Sequence, residues 1–89
     1  MKITLHETID SLDPAGLADN PMQSLTGYVK EVSAEILKVY PDAKIEHRNE
    51  DSHRPFSIDT YLDYPEHVEV SDAIQTIGED VYATGNFWA

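Results

Sequence analysis

The 89-residue chain contains no cysteine, which excludes disulfides, thiolate metal ligands and thiol nucleophiles. It also lacks any apolar run near the roughly 20 residues that span a bilayer. Residues 1–6 alternate apolar and polar side chains instead of forming the continuous apolar stretch of a signal peptide, so they are predicted to belong to the fold. Together these absences predict a cytoplasmic protein.

Basic residues are scarce, with six Lys and Arg against 17 Asp and Glu, which gives a net charge of −11. No Lys or Arg occurs in residues 55–89, whereas seven acids do: Asp59, Asp63, Glu66, Glu69, Asp72, Glu79 and Asp80. Nucleic acid and anionic membranes repel such a chain, while a basic partner is attracted over long range. The alternative is that the acidity serves only solubility.

Motifs for catalysis or cofactor binding are missing as well. The four glycines match no phosphate-binding or dinucleotide-binding spacing. His47 and His53 flank Glu50 and Asp51, but a metal needs three or four ligands at fixed distances, and a solvated loop is the favoured interpretation. The sequence therefore predicts no enzyme activity, no cofactor and no metal.

Periodicity predicts five elements in the order β-α-β-β-α. Strands with period-two alternation are expected at residues 2–9, 43–48 and 56–64. Asn20 is a good N-cap for a helix that begins at Pro21 and is ended by Pro41. A second helix is expected from the N-cap Ser71 to a stop at Gly85, and a short helical turn is possible in the loop of residues 11–20.

These elements predict one α+β domain, residues 1–89, with a three-stranded sheet and both helices on one face. A strand order of 1-3-2 would make it a truncated ferredoxin-like fold in which residues 49–54 form a polar hairpin loop. The other face of the sheet would be open and lined by Thr4, His6, Thr8, Glu46, Arg48, Asp59, Tyr61 and Asp63. Phe87 and Trp88 are expected to fold back onto apolar surface, although Trp is also common at exposed interaction sites.

The candidate partner-binding residues are one tyrosine and six acids of the base-free stretch: Asp59, Tyr61, Asp63, Glu69, Asp72, Glu79 and Asp80. On the second helix, neighbouring acids three or four residues apart have side-chain origins about 5–6 Å apart. This is the scale of phosphate separations along a nucleic-acid strand. The carboxylates would meet Lys or Arg of a partner, and tyrosine would add contact area and a hydrogen bond.

In size, acidity, lack of cysteine and lack of catalytic motifs, the chain resembles small phage-encoded inhibitors that act as nucleic-acid mimics, the anti-CRISPR and anti-restriction proteins. The resemblance covers the whole chain and is one of overall character, carried by the base-free residues 55–89 with their seven acids. It implies a partner that is a basic nucleic-acid-binding protein or complex, such as a CRISPR effector, in the bacterial host cytoplasm. It implies no direct binding of nucleic acid or membrane.

Two alternatives stay open. One is an acidic interaction protein without mimicry, either an immunity protein or antitoxin that covers a basic toxin, or a homodimer joined through the open sheet. The other is a small enzyme or metal-binding domain. Competition with nucleic acid separates the inhibitor from a dimer, and metal content tests the last alternative.

Overall fold

The computed structural model describes residues 1–49, 56–59 and 64–89, and of residues 59, 64 and 65 it describes the backbone. Predictions that concern residues 50–55 and 60–63, including those for Tyr61 and Asp63, lie outside the described residues. Within the described part the elements are β1 (Lys2–His6), α1 (Ile9–Leu12), α2 (Pro21–Val39), β2 (Lys44–Arg48), β3 (Phe56–Asp59) and α3 (Tyr64–Thr84). The predicted α+β class is confirmed.

The three strands form a mixed sheet in the order β2-β1-β3. β1 lies in the centre, parallel to β2 and antiparallel to β3. The predicted order 1-3-2, and with it the ferredoxin-like arrangement, is wrong. Because β2 and β3 lie on opposite sides of β1, they do not pair with each other as the predicted hairpin requires.

Helix α2 begins and ends where the sequence predicted. The side chain of Asn20 accepts a hydrogen bond from the backbone N–H of Gln23, and Pro21 occupies the first turn, where its missing N–H costs nothing. Tyr40 is the C-cap, since the following Pro41 disfavours helical geometry. One stripe of the helix is buried against the sheet and α3: Leu25, Tyr28, Val32 and Ile36.

Predicted boundaries are wrong in two places, at Ile9 and at Tyr64, which was expected to end the third strand and instead begins α3. Ile9 does not extend β1, because Thr8 caps α1 in a reciprocal pair of hydrogen bonds with Ser11. Helix α3 begins at Tyr64 and not near Ser71. Pro65 is tolerated there because it lies in the first turn of the helix. Val70 is buried one turn later, and its packing stabilises the longer helix.

The C-terminal segment folds back onto α2, as predicted for Phe87. The backbone N–H of Ala89 donates to Ser24 Oγ (2.9 Å), and the N–H of Asn20 donates to the carbonyl of Ala89 (2.8 Å). Gly27 permits this approach, because a Cβ at that position would lie 3.2 Å from the carbonyl oxygen of Phe87. The glycine inside α2 therefore has a packing function that offsets its low helix propensity.

Candidate partner-binding site

The outer face of α3 is acidic along most of its length. Its five acids are all exposed: Glu66, Glu69, Asp72, Glu79 and Asp80. At 3.6 residues per turn they lie within one half of the helix circumference, and the buried Val70, Ile74 and Val81 lie in the other half. From the first to the last, the array extends about 21 Å along the helix. We call these five residues the acidic face.

No base neutralises the acidic face from within its own helix, since α3 contains neither Lys nor Arg. Within the described residues, ion pairs join Lys2 to Glu46 at 3.2 Å and Lys38 to Glu35 at 2.7 Å, and neither involves α3. The hydrogen bond from Gln75 Nε2 to Glu79 Oε1 (3.3 Å) is neutral on the donor side. The acidic face therefore presents concentrated negative charge to the solvent.

The sheet presents a different surface on the side away from the core. Residues in register on neighbouring strands point to the same side, which places Lys2, Thr4 and His6 of β1 with the following neighbours: Lys44, Glu46, Arg48 and Ser57. We call these seven residues the outer sheet face. His6 Nε2 lies 3.1 Å from Ser57 Oγ. Thr8, predicted to join this face, instead caps α1.

The predicted binding residues are divided by the structure. Glu69, Asp72, Glu79 and Asp80 lie together on the acidic face. Asp59 is the last residue of β3, where its backbone is in register with Lys2, and thus belongs to a different element. Tyr61 and Asp63 are outside the described residues. Glu66 belongs to the same helix and was not predicted as a site residue, since it lies five residues before the expected N-cap Ser71.

Aromatic side chains attach α3 to α2 and to the C-terminal segment. The Phe87 ring is 5% exposed and lies 5.0 Å from the ring of Tyr28 and 6.0 Å from that of Tyr82, between centroids. Trp88 continues the cluster 4.7 Å from Phe87 and remains 39% exposed. The Tyr28 hydroxyl donates to the carbonyl of Gly78 (3.3 Å), and burial raises its pKa to about 12, so it stays a donor at neutral pH. The acidic face therefore lies on a helix that is held in place by contacts with α2 and with the C-terminal segment.

A cleft of about 1040 Å³ opens between α3 and the sheet. Helix α3 packs mainly against α2, which leaves Phe56 and Ile58 of β3 partly uncovered on this side. Glu7 lines the cleft and accepts a hydrogen bond from Ser11 Oγ (3.0 Å). Burial raises the pKa of Glu7 above its usual value, while the Ser11 hydrogen bond and the nearby His47 lower it.

Sequence reasoning did not find this cleft. Period-two and period-3.6 patterns show which face of an element is apolar, but they do not show which partner covers it. The only signal was the strict alternation that placed Glu7 on the same side as Ile3 and Leu5. An acid on the apolar side of a strand is unusual, and it here marks the position where that strand ends at the cleft.

Comparisons of the chain with known protein families, curated proteins and solved structures gave no significant match. Among the described ranges, no three His, Asp or Glu side chains come close enough to hold a metal ion. No helix in that part of the chain is both long and apolar enough to cross a membrane.

Proposed function

We propose that this protein is a small acidic inhibitor whose acidic face binds the basic, nucleic-acid-binding site of another protein or complex and keeps DNA or RNA out of it. The observation that supports this proposal is the set of five exposed carboxylates on one side of α3, a helix without Lys or Arg. Carboxylates spaced about 5–6 Å apart on a rigid helix can take the positions that backbone phosphates take in such a site.

The placement of the charge supports a role in binding a partner rather than a role in solubility alone. Neighbouring like charges on a helix destabilise it by about 0.2–0.5 kcal/mol per pair. A purely solubilising charge can be spread over the surface, where this repulsion is small. Here Glu66, Glu69 and Asp72 follow one another at three-residue steps, which concentrates the repulsion in one helix. Binding to a basic partner would relieve that repulsion.

The proposed inhibitor needs no catalytic group, metal or cofactor, since it acts by occupying a site. Its setting is the cytoplasm of a bacterial cell, where a CRISPR effector or a restriction enzyme is a partner of the required chemistry. Attraction between opposite net charges would speed the encounter, and the association rate would fall as salt is added.

The test is an affinity capture from bacterial lysate with the tagged protein and with a variant carrying Glu69→Lys, Asp72→Lys and Glu79→Lys. Captured proteins are identified and then challenged with DNA and with RNA. The expected result is a nucleic-acid-binding protein or complex that the wild type captures, the variant does not, and nucleic acid displaces.

A matched control changes the net charge by the same amount elsewhere. Asp10, Asp19 and Asp42 are exposed acids outside α3, and replacing all three by Lys leaves the acidic face intact. This control is expected to capture the same partner as the wild type, provided that circular dichroism shows both variants folded. Capture by the α3 variant and the wild type alike would contradict the proposal.

A second candidate is an interaction protein without mimicry, and one observation favours it. Leu17 is 82% exposed and lies with Tyr82 and Trp88 around a depression of about 510 Å³. Exposed apolar side chains grouped in this way are typical of protein contact sites. In this case Trp88→Ala would abolish capture, the α3 charge reversals would not, and nucleic acid would fail to displace the partner.

A further inference from the structure

The cleft between α3 and the sheet has an apolar interior. Its volume of about 1040 Å³ is at the upper end of the range for small-molecule sites. The apolar lining comes from β1, α1, α2, β3 and α3: Leu5, Leu12, Val32, Phe56, Ile58 and Ile74. Four of these are fully buried core residues, whereas Phe56 and Ile58 of the edge strand are only partly covered. The interior is thus suited to an apolar body.

The cleft is lined by carboxylates. Three carboxylates line it, those of Glu7, Asp72 and Glu79, and the described lining residues include no Lys or Arg. Glu7 comes from the loop after β1, and the other two come from positions about two turns apart on α3, so the carboxylates approach the cleft from two sides. His67 also lies at the cleft, on the first turns of α3.

Glu7 is the carboxylate with the most to gain from a cation. Burial deprives its charged form of water, which is the main cause of its raised pKa. Its hydrogen bond from Ser11 and the nearby His47 compensate only in part, because the net direction is still upward. A positive charge beside this carboxylate would replace the missing solvation and stabilise its ionised form.

We propose that this cleft is a binding site for a small lipophilic organic cation, an amine or guanidine attached to an aromatic or alkyl body. The body would occupy the apolar interior, and the cationic group would lie near Glu7 or between it and the carboxylates of Asp72 and Glu79. The cleft shares Asp72 and Glu79 with the acidic face, but the two proposals have different readouts, so either can fail without the other.

The test uses three fluorescent probes with the same aromatic body and different charge: dansylcadaverine, its neutral N-acetyl derivative, and the anionic dansylglycine. Dansyl emission rises and shifts to the blue in an apolar site, so titration at about 0.15 M salt gives each dissociation constant. The cationic probe is expected to bind about tenfold more tightly than the neutral one, and the anionic probe more weakly still.

Matched variants separate the cleft from the general negative field of the molecule. Glu79→Gln changes a carboxylate that lines the cleft, and Glu69→Gln makes the same change on the same helix away from it. We expect Glu79→Gln and Glu7→Gln each to weaken binding of the cationic probe about threefold or more, with little effect of Glu69→Gln.

A second pair tests the apolar interior without disturbing the core. Val68 lines the cleft and is 38% exposed, so Val68→Trp fills space at the rim and leaves the fold intact. Val39→Trp makes the same change at an exposed position of α2 outside the cleft. Only Val68→Trp is expected to weaken the binding of all three probes.

Several results would overturn the proposal. These are equal affinity for the three probes, equal weakening by Glu69→Gln and Glu79→Gln, unchanged binding in the Val68→Trp variant, or no binding of the cationic probe up to about 1 mM. The inhibitor proposal would be unaffected, since its test depends on capture of a macromolecule and displacement by nucleic acid.

Discussion

The acidic face of α3 and the outer sheet face arrange charge in opposite ways. Helix α3 has five acids and no base, whereas the three strands together have three bases and two acids. On the sheet, Lys2 and Glu46 form an ion pair across neighbouring strands. On α3, Glu79 accepts a hydrogen bond from the neutral side chain of Gln75, and the helix itself supplies no Lys or Arg. The net charge of −11 is therefore not evenly spread, since α3 alone contributes five acids and no base.

The two surfaces also differ in how they are attached. Backbone hydrogen bonds connect β1 to both of its neighbours, whereas α3 is attached by side-chain packing on α2 and on the segment that follows it. Charge concentrated on an element that is attached through side chains, here by packing and by the hydrogen bond from Tyr28 to Gly78, is sensitive to the loss of those contacts. The following predictions test this contrast, beginning with the largest expected effect.

Phe87→Ala should cost about 3–5 kcal/mol of unfolding free energy, because it removes a buried ring from the contact between α2 and α3. Urea denaturation gives the loss, and hydrogen exchange shows where protection falls first. We expect amides of α3 to lose more protection than those of β1. Trp88→Ala is the control, with an expected loss below about 2 kcal/mol, since that side chain is 39% exposed. Equal loss of protection in α3 and β1 would show that packing and backbone pairing attach them equally well.

Neutralising the acidic face with Glu69→Gln, Asp72→Asn and Glu79→Gln should raise the melting temperature at low salt by about 4–8 °C. Removal of the like-charge repulsion should contribute on the order of 1 kcal/mol. Moderate salt should raise the melting temperature of the wild type, and raise that of the variant less. Differential scanning calorimetry at several salt concentrations measures both effects.

The control for this second prediction is Asp10→Asn, Asp19→Asn and Asp42→Asn, which makes the same change in charge outside α3. It should leave most of the salt dependence in place. A wild-type melting temperature that falls steadily with neutral salt would contradict the concentration of charge on α3.

Lys2→Met should lower stability by less than about 1 kcal/mol, because the Lys2–Glu46 pair is more than one-third exposed on both sides. Lys38→Met, at the exposed pair with Glu35 on α2, should have an effect of similar or smaller size. Chemical denaturation measures both variants. A loss of several kcal/mol from Lys2→Met would mean that the outer sheet face depends on its charges for stability. This would contradict the contrast drawn between the outer sheet face and the acidic face.

Glu7→Gln should raise stability slightly at neutral pH, within about 4 °C in melting temperature. Burial raises the pKa of Glu7 above its usual 4.5, so the folded state binds the proton more tightly than the unfolded state does. Its contribution to stability therefore falls as pH rises from about 4.5 through the raised pKa. The difference in melting temperature between variant and wild type should grow over that range and then level off. A difference that is independent of pH, or that shrinks, would contradict this account.

Much of the fold could be predicted, because local patterns determine where elements form. Asn20, Pro21 and Pro41 marked both ends of α2, and Gly85, with φ of +65°, follows the last residue of α3 as expected. The prediction failed for α1 and for the start of α3. At Thr8, a helix cap competes with the alternation of a strand. At the start of α3, a proline in the first turn competes with the better N-cap Ser71 downstream. Local propensity does not decide between these alternatives.

The candidate site was predictable in its charge and not in its extent. Four of the seven predicted residues lie on one exposed helix face, because a 3.6-residue period fixes which acids share a side. Periodicity placed Asp59 on a strand, as the structure does, but could not show how that strand lies relative to the helix, since the place of a strand in the sheet is a long-range property. The cleft beside Glu7 had no sequence signature for the same reason.

The sequence by itself determined the α+β class, the bounds of α2 and the acidic face of α3. Each follows from a local rule: a cap, a period, or the absence of Lys and Arg from residues 55–89. Only the tertiary structure decided the strand order β2-β1-β3, the contact of Gly27 with Phe87 and the cleft that Glu7 lines. These features depend on which distant segments meet. The packing of all apolar faces into one core decides this, and no single stretch of the chain contains that information.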